Sequence, residues 1–166
     1  MKLKAFITSL SQDKKYPEFS KCGYTTTFMK NSIHKYSDLI YSDLESADIV
    51  CVFVTFLGND YIFDEVTAEL ISKTNKPIVI FDYTEYGCHN GEIRIKEYNL
   101  FGYNIEFNDL TVGNANKVHN FLLDNQKLIS CYFKRELGSS IDLNKVPFKV
   151  HPLEFICDDY ITTMSV

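Results

Sequence analysis

Tryptophan is absent from the sequence, glycine and proline are sparse, and no two of the five cysteines stand in a C-x-x-C spacing. Cys22, Cys51, Cys88, Cys131 and Cys157 are odd in number and far apart, which argues against a disulfide framework and against a zinc motif. Cys51 and Cys131 lie inside apolar runs and read as core filler. The expected setting is therefore a reducing compartment, the cytoplasm. Long apolar runs are lacking too. Ile49 to Val54 is among the longest, far short of the roughly 20 residues that span a bilayer, so no transmembrane segment is expected. Met1 to Leu10 reads as a strand and not as a secretory leader. The few glycines form no G-x-G-x-x-G and no Walker loop, and G-x-S-x-G and H-E-x-x-H are also missing. A dinucleotide enzyme, a P-loop kinase, a serine hydrolase and a zinc protease thus lack sequence support. No metal and no tightly bound cofactor is expected.

What the sequence does contain is an ordinary globular composition, 45% hydrophobic and 23% charged, over 166 residues. That length suits one domain. The net charge of −5 is unevenly spread. Residues 1–35 hold seven lysines against two acids, and residues 36–110 hold fourteen acids against four bases. An acidic middle argues against nucleic acid as a partner, because nucleic-acid binding needs a basic stripe. The lysine-rich start suits a phosphate or simply a solvated loop.

Leu3 to Leu10 is a plausible first strand, followed by a long aperiodic connection over residues 11–32. Tyr36, Leu39, Ile40 and Leu44 recur at helical spacing. Ile49 to Val54 is a continuous apolar run of the kind a strand buried on both faces needs. After the turn Leu57-Gly58-Asn59-Asp60, the spacing of Ile62, Phe63, Val66, Leu70 and Ile71 predicts a helix capped by Asn59 or Asp60 and stopped before Pro77. Pro77 to Phe81 is a second buried strand, and Tyr103 to Phe107 a short one. Ala115, Val118 and Leu122 mark a helix, Leu128 to Phe133 a strand, and Pro147 to Val150 a last strand. This alternation predicts an α/β fold, Rossmann-like, with a mostly parallel sheet of about five or six strands and helices on both faces. Residues 1–166 are expected to form a single such domain. Ligands of parallel sheets bind beyond the carboxyl ends of the strands. That rule selects Ser9–Ser11, Thr55–Asp60, Asp82–Gly87 and Lys134–Glu136 as a rim.

Asp82-Tyr83-Thr84-Glu85-Tyr86-Gly87 sets two carboxylates and two tyrosines directly after a buried strand. Asp82 or Glu85 there can serve as general base toward an acceptor hydroxyl, with Tyr83 and Tyr86 binding substrate. Turn formation explains the same residues. Lys134, Arg135 and Glu136 end another strand, where the cations can grip phosphate or carboxylate, or Arg135 can pair with Glu85 or Glu136 for structure. Asn59 and Asp60 belong to the same rim. Glu65 and Glu69 share one helical face; a solvated surface explains them, and so does a nucleophile role of the kind seen in deoxyribosyltransferase-like and TIR-like enzymes, which cleave N-glycosidic bonds, while a non-catalytic binding module that keeps the fold without the chemistry is a further alternative. His34, His89, His119 and His151 show no ligand spacing, although His34 and His89 remain candidate bases.

The string Ser46-Ala47-Asp48-Ile49-Val50, then Lys76 to Tyr83 and Glu85-Tyr86-Gly87, resembles the acceptor-side domain of GT-B glycosyltransferases. Tyr132-Phe133-Lys134-Arg135-Glu136, with Pro147 to Leu153, is similar to their strand bearing a "YFKRE"-type motif and its following "PL" turn. The likeness is to exostosin-like and related microbial or viral enzymes and covers scattered segments from Asp48 to Phe155. It implies transfer of a sugar from a nucleotide-sugar donor to a glycan or other hydroxyl acceptor, without a bound metal. It further implies a second Rossmann-like domain or subunit that holds the donor, since GT-B enzymes work in the cleft between two such halves.

Overall fold

The computed structural model describes residues 2–13, 39–54, 61–82, 97–98, 103–104, 117–118, 120–134 and 146–152. Its centre is β4 (Ile49–Val54), whose six residues IVCVFV are apolar throughout. On one side β4 pairs in parallel with β1 (Leu3–Ser9), matching Ala5 to Ile49 and Ser9 to Phe53. On the other it pairs in parallel with β6 (Ile78–Asp82), matching Val50 to Ile78 and Val54 to Asp82. Beyond β6 lie β9 (Ile129–Lys134) and β10 (Val150–Pro152), and beyond β1 lies β3 (Leu39–Tyr41), all parallel. The sheet order is β10-β9-β6-β4-β1-β3, a parallel, Rossmann-like α/β sheet in the broad sense. Order reverses between β1 and β4, with one strand on the β1 side among the described residues, as in flavodoxin-like sheets.

Alternation along the strands divides the core in two. Val50, Val52, Val54, Ile78, Ile80 and Tyr132 face one side, where Ala68 and Ile71 of α1 (Glu65–Ser72) and Val118, Phe121 and Leu122 of a second helical segment cover them. The described helical residues all pack on this face. Ala5, Ile7, Cys51 and Phe53 face the other side and are equally buried. There Phe53, Phe81, Phe133 and His151 stand in register on β4, β6, β9 and β10 and stack in one row, with ring centroids 5.0, 5.2 and 5.6 Å apart. Such offset or parallel stacking adds about 0.5–1.5 kcal/mol per pair beyond area burial.

Several expected elements differ in the structure; the last strand, expected over Pro147 to Val150, spans Val150–Pro152 instead. Leu39 and Ile40, expected in a helix, form the edge strand β3, because the free edge of β1 offers a parallel ladder to a segment rich in β-formers. The chain then crosses β1 in only residues 42–48. Asp43 accepts from the Ser46 N–H (2.7 Å), and Lys76 Nζ donates to the carbonyls of Glu45 and Ala47 (2.6 Å each). These bonds replace the crossover helix that parallel strands ordinarily need. Ile62 and Phe63 are not helical but lie in β5 (Tyr61–Phe63), antiparallel to β2 (Ser11–Asp13), a strand inside the stretch expected to be loop. The helix therefore begins later, and its cap is Asp64, not Asn59 or Asp60. Asp64 Oδ1 accepts from the Thr67 N–H (3.0 Å) and Oδ2 from the Thr67 hydroxyl (2.7 Å). With that phase the helix buries Thr67, Ala68 and Ile71, and leaves Val66 and Leu70 exposed. Two short strands, β7 (Glu97–Tyr98) and β8 (Tyr103–Asn104), pair antiparallel apart from the main sheet.

Candidate functional site

The carboxyl ends of β6 and β9 carry a charged pair in the core. Asp82 and Lys134 are register partners, and Lys134 Nζ lies 3.0 Å from Asp82 Oδ2. The hydroxyl of Tyr132, two residues earlier on the same face, donates to the same Oδ2. Lys134 and Tyr132 are 0% exposed and Asp82 only 3%. A lysine is almost never this deep unless it is paired.

A bulge makes the pairing possible. Ile78 pairs with Ile129, but Val79 pairs with Cys131, so Ser130 is skipped. Without that extra residue Asp82 would stand opposite Phe133. The bulge turns Tyr132 and Lys134 onto the face of Ile80 and Asp82, which is how bulges re-aim side chains near sites.

Neighbouring strand ends add buried hydroxyls. Ser9 Oγ donates to the Phe53 carbonyl (3.2 Å) and accepts from the Ser11 N–H (3.0 Å), stitching the end of β1 to β4. The Leu10 N–H also donates to the Phe53 carbonyl, and the Asp64 N–H donates to the Leu10 carbonyl. Thr8, Ser9 and Ser11 are all buried.

Of the residues selected from the sequence, Asp82 and Lys134 are brought together. Glu65 and Glu69 are exposed on the outer side of α1, where Lys117 engages Glu65 and Lys73 engages Glu69 (2.6 Å). The Lys73 ammonium holds the Glu69 carboxyl below its ordinary value. Asn59, Asp60, Tyr83, Glu85, Tyr86, Arg135 and Glu136 lie outside the described residues, as do His34 and His89. The rim thus rests on the positions where the chain runs on from Asp82 into Tyr83 and from Lys134 into Arg135, and these two strands end side by side.

Asp82 has two donors on one oxygen and almost no surface. In this geometry it positions Lys134 and Tyr132 and fixes the ends of β6 and β9. Sequence reasoning missed Tyr132 and Thr8. The signal for Tyr132 was its i, i+2 spacing from Lys134, which places both on one strand face. Burial pushes the Cys51 thiol up to about 12 and also raises that of Cys131, so neither is a ready nucleophile. Among the described residues no group of three or more histidines, cysteines and acids is placed to hold a metal ion, and no described helix is long and apolar enough to cross a membrane. No family model, curated protein or solved structure matches the chain.

Proposed function

We propose that this domain is the acceptor-binding half of a glycosyltransferase that moves a sugar from a nucleotide-sugar donor to a glycan or other hydroxyl acceptor. The observation that supports it is the buried Asp82–Lys134 pair with Tyr132 at the carboxyl ends of adjacent parallel strands. A buried ion pair is often no more stabilising than apolar residues of the same size, so its presence asks for another reason. Charged groups held in a sheet at the end where ligands bind supply one. In this reading the pair forms the floor of an acceptor cleft. Glu85, Tyr83, Tyr86, Arg135 and Glu136 follow it in sequence and supply the contacts, with Glu85 as the base, and Asn59 and Asp60, which follow β4 in sequence, add to them. A second Rossmann-like domain or subunit brings the donor.

A second reading, cleavage of an N-glycosidic bond with Glu65 or Glu69 as nucleophile, draws on the flavodoxin-like strand order. The exposed, lysine-paired placement of both glutamates counts against it.

Isothermal titration of the protein with lactose, cellobiose, maltose and chitobiose, and separately with nucleotide sugars, tests the proposal. Binding of one or more disaccharides, more strongly than of any nucleotide sugar, is expected. No saccharide binding, together with release of free base from nucleosides, would replace the first reading with the second.

A further inference from the structure

Thr8 sits on β1 beside the point where the strand order reverses, in register with Val52 of β4. In open parallel sheets this reversal opens the crevice that receives ligands. Thr8 is 1% exposed, and its hydroxyl finds no hydrogen-bond partner among the described residues. Its neighbour Ser9 shows the contrast, because the Ser9 hydroxyl both donates and accepts. A buried hydroxyl without a partner is costly, and such groups are rare in folded proteins. Two separate observations, one topological and one of unmet hydrogen bonding, therefore meet at one residue.

We infer that the Thr8 hydroxyl is a ligand-binding point at the β1–β4 switch and hydrogen-bonds an uncharged hydroxyl of the bound molecule. The surroundings set the class. Leu10 and Val52 next to it are fully buried and apolar, which disfavours a charged group. A hydroxyl both donates and accepts, so it matches an alcohol of either polarity. The choice of a sugar as the ligand rests on the glycosyltransferase reading. Thr8 lies two strands and two residues from Asp82, roughly 12 Å away by ordinary strand spacing, so changes at the two places act independently.

Thr8→Val keeps the shape and removes the hydroxyl, and Thr8→Ser keeps the hydroxyl. Both are compared with wild type by thermal unfolding and by titration with the same four disaccharides. The Val variant alone is expected to melt about 2–4 °C higher than wild type, because an unmet polar group is gone. It is also expected to bind the recognised disaccharide about tenfold more weakly, with the Ser variant near wild type. A lower melting temperature for Thr8→Val would mean that the hydroxyl is already satisfied inside the fold, which overturns the inference. Unchanged disaccharide affinity in Thr8→Val overturns it while leaving the glycosyltransferase reading standing. If wild type binds none of the four, the sugar reading fails and the inference falls with it.

Discussion

Replacing Lys134 with Met leaves the Asp82 carboxylate in the core without its cation. Met fills nearly the same volume as the lysine stem, so the loss is electrostatic and not a cavity. Removing one member of a buried ion pair costs about 3–5 kcal/mol. A domain of this size has a total stability of about 5–15 kcal/mol, so the variant loses a fifth or more of its margin. Each kcal/mol lowers the melting temperature by about 2–4 °C at this length, which gives a fall of roughly 6–20 °C. The exposed pair Lys73–Glu69 is the internal control. Lys73→Met should cost only about 0.3–0.5 kcal/mol, the usual worth of an i, i+4 pair. Urea unfolding followed by far-UV circular dichroism and tyrosine fluorescence measures each, the sequence having no tryptophan. The slope with urea should be unchanged, so that midpoints report stability alone. If Lys134→Met costs as little as Lys73→Met, the pair is not buried as described and the site argument fails.

Asp64→Ala removes the cap that holds Thr67 and should lower stability by about 1 kcal/mol in the same urea assay, with Asp64→Asn largely neutral. Cys51 should resist modification by a disulfide reagent at pH 8 in the native state, since a thiol at about 12 is ionised in only about one molecule in ten thousand, and should react fully in urea. The Glu69 carboxyl is held below its ordinary value by Lys73, so its contribution is present above the unfolded value and is lost as pH falls through the folded one. Wild type should therefore lose slightly more stability than Glu69→Gln between pH 6 and pH 3, and equal losses would mean the pair is not formed in solution.

The central strands were legible because IVCVFV and IVIFD are rich in β-branched and aromatic residues and too short for a typical helix. Parallel pairing and the rim of strand ends followed from that. β3 was illegible because Tyr36, Leu39, Ile40 and Leu44 fit a helical period, while the open edge of β1 decided the matter through tertiary pairing. β5 was hidden in the same way. Ile62 and Phe63 extend the helical spacing of Val66, Leu70 and Ile71, yet Ser11–Asp13 captures them as a strand. Lys134 was read as a cation gripping a ligand at a strand end, since a lysine there is ordinarily solvated, whereas the structure buries it against Asp82. Its burial depends on the Ser130 bulge, and a one-residue irregularity in strand pairing leaves no mark on the local pattern of hydrophobic residues.

The central claim is that ligands of this domain bind at the carboxyl ends of its parallel strands, over the Asp82–Lys134 pair. Amide chemical-shift mapping during titration with the recognised disaccharide tests it most directly. The account predicts the largest changes at Ser9, Leu10, Ser11, Val54, Asp82 and Lys134. Changes confined to Lys2, Lys4, Lys76 and Leu128, at the opposite end of the sheet, would contradict it.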